Sequence, residues 1–256
     1  MLAFGTTQGD VPVPGFASMV HGRLGGPAME VLSAGGVCCS SMAALKSAQQ
    51  AVACGSRKNA IAGGSELISR ILKASRFERE SAADKEPSLN DFDADFLRWM
   101  LSDGAGAVML ESEPHPSRPS LRIEWIELIS HAGELPTCMY TGMRNKDEPR
   151  AGDTWLDHDS IADADARGLM NLRQDTKLLQ QIVTVGSEEY LRLVSQERFV
   201  PERIDHVLCH YSSHYFRTKI FEFLDKSGWG IPEERWFTNL YDKGNTGAAS
   251  IFIMLD

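Results

Sequence analysis

Residues 29–55 constrain this chain more than any other stretch. Met29-Glu30-Val31-Leu32-Ser33-Ala34-Gly35-Gly36-Val37 is an apolar run that passes through small residues into Cys38, the pattern of a buried strand and its exit. Directly after it, Cys39 to Cys54 has helical character and is closed by Gly55. A strand that runs straight into a helix places one residue at the junction, and here that residue is Cys38. A thiol there sits against the positive end of the helix dipole, which favours the thiolate. The same local sequence also accommodates Cys38 as a small buried hydrophobe.

Two distant segments have the same character. Ile204-Asp205-His206-Val207-Leu208-Cys209 predicts a short apolar strand that delivers His210 at its exit, with Ser212 or Ser213 able to cap a following helix. Lys243-Gly244-Asn245-Thr246-Gly247-Ala248-Ala249-Ser250 is a glycine-rich turn opening a helix of small residues. A cysteine, a histidine and an asparagine thus each stand at the end of an element.

Other chemistries fit these residues less well. His210 and His214 are spaced i, i+4, which on one helix could chelate a metal, but Tyr211-Ser212-Ser213 between them supplies no Glu general base. Gly63-Gly64-Ser65 is not a Gly-x-Ser-x-Gly elbow, because Leu67 occupies the closing position. No dinucleotide fingerprint or Walker loop follows a strand, so no nucleotide cofactor and no metal are expected. The net charge of -9 and pI near 5.3 argue against nucleic acid or an anionic membrane surface as partner. An acidic carrier protein would need a local basic patch, for which Arg70, Lys73, Arg76 and Arg79 are a candidate, although a charged helix face turned to water explains them better. No apolar run approaches the roughly 20 residues of a membrane helix, and no signal segment opens the chain. A cytoplasmic protein is expected, its cysteines at 38, 39, 54, 138 and 209 reduced.

Periodicity predicts a strand at 2–4, a helix marked by Phe16, Met19, Val20 and Leu24, a strand at 29–34, a helix at 39–54, and strands at 59–63, 106–111 and 120–129. Residues 74–92 form a polar excursion, and 131–170 a long loop without sustained period. A helix from about Leu178 to Val194, a strand at 205–209, a helix at 213–227, a short strand near Trp236 and the helix after Asn245 follow. Strands alternating with helices predict an α/β protein with a mixed or parallel sheet covered by helices.

On these segments the chain resembles the thiolase-fold condensing enzymes, in particular the 3-oxoacyl-ACP synthase III group. Gly5-Thr6-Thr7, Pro14, Leu24-Gly25, Cys38 to Leu45, Gly55, Ala62-Gly63-Gly64-Ser65-Glu66, Asp103-Gly104-Ala105-Gly106-Ala107, His210-Tyr211-Ser212-Ser213 and Gly244-Asn245-Thr246 are similar to its motifs, along nearly the whole chain. Counting back from Leu45 and Gly55 at the family's helix spacing lands on Cys38, which makes Cys39 the first residue of the helix. The resemblance implies an α/β thiolase-like fold of layered sheets with helices in two pseudo-equivalent halves. Residues 1–130 would carry the nucleophile and residues 131–256 the His and Asn. It also implies that the chain is incomplete at its N- and C-terminus, lacking an opening strand-helix portion, the closing strands and a glycine-rich loop of the oxyanion hole.

The implied activity is that of an acyltransferase. Catalytic Cys38 takes an acyl group from a coenzyme A or acyl carrier protein thioester, and catalytic His210 and Asn245 hydrogen-bond the carbonyl of a second thioester during Claisen-type condensation. A homodimer is implied, and a role in fatty acid or dialkylresorcinol/polyketide-type biosynthesis. Residues 96–104, 210–213 and 234–240 resemble the dialkylresorcinol-forming branch most. The alternatives are a catalytically silent thiolase-like partner subunit and acyl transfer to a heteroatom acceptor.

Overall fold

The computed structural model describes residues 1–75, 90–144, 146 and 154–256, and for 90–94 the backbone. In chain order the elements are β1 (Leu2–Gly5), α1 (Phe16–Leu24), β2 (Val31–Ala34), α2 (Ser40–Ala53) and β3 (Asn59–Glu66). They continue with α3 (Asn90–Met100), β4 (Gly104–Glu111), β5 (Met139–Tyr140), α4 (Ile161–Ala166), β6 (Arg173–Gln174) and α5 (Leu179–Ser195). The last are β7 (Val207–Leu208), α6 (His214–Ser227), β8 (Trp236–Phe237), α7 (Leu240–Lys243) and α8 (Ser250–Leu255). The chain divides into two compact units, one of Met1–Leu67, Ser102–Ser130 and Lys243–Asp256, the other of Ile68–Leu101 and His131–Asp242.

The first unit holds a mixed four-stranded sheet in the order β2-β1-β3-β4. β1 pairs in parallel with β2 and with β3, while β4 runs antiparallel to β3 from Asn59↔Glu111 to Glu66↔Gly104. A strand's side chains alternate between faces, and in β1 both faces are apolar because each is covered by a helix. Ala3 packs with Ala60 and Ala62 of β3 and with Ala44, Leu45, Ala48 and Val52 of α2. Leu2 and Phe4 point the other way, onto Ala17, Phe16 and Val20 of α1, with Ile61 beside them. The small residues on the α2 side let that helix lie close, and its first turn reaches the exit of β3. A Cβ on Gly64 would stand 2.1 Å from the Ala248 carbonyl oxygen and 2.8 Å from Ser41 Cβ, so at this point only glycine fits between the Ala248 backbone and the Ser41 side chain.

The second unit is mainly helical. Leu97 of α3 packs with Ile68 and Leu172, and α5 and α6 share a core of Leu179, Val183, Tyr211 and Phe216. β5 and β6 form an antiparallel ladder, and β7 and β8 a parallel one. Ser213 caps α6, its Oγ accepting from Tyr215 N–H, and Gly228 in the left-handed region ends the helix.

Several sequence expectations are corrected. Among the described residues no ladder forms over 120–129; Ile123 and Ile126 pack onto the α2-side core while Leu121 is exposed, so the segment buries apolar side chains without a neighbouring strand. The region 131–170 is not all loop, since it contains β5 and the six-residue α4, whose Ser160 side chain accepts from Asp163 N–H. A helix of under two turns is too short to show periodicity. β3 runs on to Glu66 because Gly63, Gly64 and Ser65, turn residues by composition, pair with Ala107, Gly106 and Ala105. The strand at 205–209 shrinks to two residues, and a 3-10 turn at Gly247–Ala249 separates Asn245 from α8. Of the polar excursion at 74–92, residues 76–89, with Arg76 and Arg79, lie outside the described residues. Among the described residues no helix is long and apolar enough to cross a membrane.

Gly64→Ala is expected to lower the unfolding free energy by about 1–3 kcal/mol, the usual range for overpacking a close-packed site. Denaturant titration measures it, and an unchanged midpoint would contradict the contact between β3, α2 and Ala248.

Candidate active site

β2 ends at Ala34, and the chain turns into α2 through residues 35–39. Ser40 N–H donates to the Val37 carbonyl at 2.9 Å, and Met42 and Ala43 N–H donate to the Cys39 carbonyl at 3.0 and 3.2 Å. Cys39 is therefore the cap of α2, exposed to solvent, and the helix begins at Ser40, one residue later than the sequence suggests. Cys38 precedes the cap and is half-buried. Its thiol is not poised as a thiolate. Desolvation, reinforced by the Glu66 charge, pushes its pKa from 9.0 up to about 12. A helix terminus favours a charge by about 0.3–1 kcal/mol, whereas each pH unit of acidity is worth about 1.4 kcal/mol, so the dipole cannot offset burial here. The first-turn N–H groups named above are also already committed to backbone carbonyls.

Glu66, the last residue of β3, is 5% exposed. Its Oε1 accepts from Thr7 N–H at 3.0 Å, from Thr7 Oγ1–H at 2.7 Å and from Ala248 N–H at 3.0 Å. Oε2 is 3.3 Å from the same Thr7 nitrogen. Burial raises the carboxyl above its ordinary range, and these donors oppose that by favouring the charged form. Gly247 has φ +53° and a Cβ there would lie 2.8 Å from Glu66 Cγ, so the turn closes on the carboxylate only with glycine.

Asn245 is 2% exposed in that turn. Its Oδ1 accepts from Gly247 N–H at 2.9 Å, which leaves the amide NH2 as the end able to donate outward. Ser102 N–H donates to the Asn245 carbonyl at 2.9 Å, and Ser102 Oγ–H to the Lys243 carbonyl at 2.6 Å. The structure thus gathers the α2 entrance with Cys38, Glu66 and the Asn245 turn within the first unit.

His210 belongs to the second unit, where it follows β7. Ser212 has φ +59°, a conformation a non-glycine residue adopts only under local constraint, and it turns the chain sharply between His210 and the Ser213 cap. His210 Nε2 is buried with no hydrogen-bond partner among the described residues. Desolvation holds its pKa below the ordinary value, so the imidazole is neutral at pH 7. His214 is the first residue of α6, its ring stacked on Tyr241 at 3.7 Å between centroids. His210 lies outside that helix, so the i, i+4 chelating geometry does not arise.

Sequence reasoning placed Glu66 and Thr7 in motifs but gave them no role. The available signal was an acidic residue closing a strand of small residues, where a solvated charge is out of place.

Residues 5–115 match the family described as beta-ketoacyl synthase, N-terminal domain. The chain is similar to beta-ketoacyl-acyl-carrier-protein synthase III of Clostridium perfringens, 23% identical over 100% of this chain and 67% of that protein. The fold is similar to the crystal structure of 3-oxoacyl-(acyl carrier protein) synthase III, FabH, from Pseudomonas aeruginosa, with TM-score 0.68 and 20% identity, covering 99% of this chain and 65% of that one. OleA of Xanthomonas campestris gives TM-score 0.66 and 17% identity, covering 99% and 65%. The chain spans about two thirds of the length of these relatives. These likenesses define a mixed α/β thiolase-like fold, similar over nearly all of this chain to that of 3-oxoacyl-ACP synthase III.

Because Cys38 is held as a thiol, its alkylation by iodoacetamide in a Cys39→Ser background should climb about tenfold per pH unit between about pH 7 and 10. Mass spectrometry of the Cys38 peptide follows it, and a plateau below about pH 8 would mean a thiolate-poised cysteine instead.

Proposed function

We propose that this chain is the bond-forming part of a condensing enzyme that joins two acyl thioesters through an acyl-cysteine. The observation that carries the reading is the state of three groups. Cys38 is a thiol at a strand-to-helix junction, His210 a neutral imidazole with an orphaned buried nitrogen, and Asn245 an amide whose oxygen is already engaged. A nucleophile and two N–H donors that carry no charge suit enolate chemistry, where negative charge develops on a thioester oxygen.

In the first step the Cys38 sulfur attacks the carbonyl of a coenzyme A or carrier-protein thioester. The Cys38 proton is lost, the thiol of the donor leaves with a proton, and the acyl group stays on sulfur. The Cys38 backbone N–H is one donor to the oxyanion. In the second step another thioester loses a β-carboxylate as CO2, or an α-proton to a water molecule, and its carbonyl oxygen takes hydrogen bonds from His210 Nε2 and Asn245 Nδ2. The new carbon-carbon bond forms as the acyl C–S bond breaks, which returns Cys38. The similarity of residues 96–104, 210–213 and 234–240 to the dialkylresorcinol-forming branch supports two medium-length acyl thioesters as substrates. The reading also carries over the family's architecture, with pseudo-equivalent halves at 1–130 and 131–256 and a homodimer.

Intact-mass analysis after incubation with acyl thioesters of graded length should show a single acyl adduct, lost in Cys38→Ser. His210→Ala should keep the adduct while condensation falls by about 10²–10³-fold, the usual loss of an oxyanion donor. A folded protein that forms no adduct points instead to a catalytically silent thiolase-like subunit. An adduct that transfers only to oxygen or nitrogen acceptors points to simple acyl transfer.

A further inference from the structure

We propose that Glu66 is the positioning residue of this site: its carboxylate ties the Thr7 turn and the Gly247-Ala248 turn to the end of β3, and so fixes Asn245 against the α2 entrance while setting a negative charge beside Cys38. The proposal rests on the reading of Cys38 and Asn245 as reacting groups. Three chain segments meet on one buried side chain, for Thr7 is 59 and Ala248 is 182 residues from it in sequence. A buried carboxylate is costly unless hydrogen-bonded, and all the donors Glu66 receives come from those two turns. Among the described residues, those that hydrogen-bond it are Thr6, Thr7 and Ala248, none of which carries a charge. The titratable groups bearing on Cys38 are Glu66 from β3 and Cys39 from the adjoining cap. The Glu66 charge therefore weighs against a free thiolate.

Two variants separate charge from geometry. Glu66→Gln keeps an acceptor oxygen and removes the charge. It is expected to raise the Cys38 alkylation rate at fixed pH by about threefold or more, half a pH unit of thiolate population, with the Thr7 and Ala248 amides still protected from hydrogen exchange. Glu66→Ala removes both functions and should also speed exchange at those two amides by about tenfold or more. Thr7→Val, which deletes the 2.7 Å donor, serves as the milder geometric test and should speed exchange at Ala248. Unchanged alkylation in Glu66→Gln overturns the electrostatic role, and unchanged exchange at Ala248 in Thr7→Val and Glu66→Ala overturns the positioning role. Neither readout needs an acyl substrate, so each outcome stands apart from the acyl-adduct experiment that judges Cys38 as nucleophile.

Discussion

One buried carboxylate organises the first unit. Glu66 closes β3 where the sheet, the first turn of α2 and the turn before α8 converge, and its hydrogen bonds are the polar links between segments that otherwise meet through backbone contact. The close approach at Gly64 and the left-handed glycine at 247 both follow from that convergence, since a side chain at either place would strike backbone or the carboxylate itself. Small residues in β1, β3 and α2 bring the elements near enough for a single side chain to bridge them.

The same convergence sets the reactivity of Cys38. A cysteine at a helix entrance is usually taken to be acidic, yet burial here outweighs the dipole and a neighbouring carboxylate adds to the effect. The protein thus holds Cys38 as a protonated thiol, His210 as a neutral imidazole on the second unit and the Asn245 amide with its oxygen engaged. Each group is uncharged, which suits the proposed thioester condensation, in which charge would develop on oxygen.

Much of this was legible in the sequence. β1, α1, α2 and α5 follow from apolar periodicity, and Cys38, His210 and Asn245 stand out because each lies where an element ends. What was not legible depends on tertiary proximity. Glu66 draws its donors from residues far away along the chain, so its place at the end of a small-residue strand hints at burial but not at its partners. The protonation of Cys38 depends on how deeply α2 is seated. The alternation over 120–129 predicts a strand correctly only if a partner strand adjoins it, which periodicity alone cannot supply.

The central claim is that Glu66 is the polar link that holds the Thr7 turn, and a double-mutant cycle on unfolding free energy tests it most directly. Glu66→Ala and Thr7→Val, measured singly and together, should show a coupling of about 0.5–3 kcal/mol, as expected for residues sharing one hydrogen-bond network. Strictly additive effects would mean that Glu66 holds no such link, and the account of the site would fail with it.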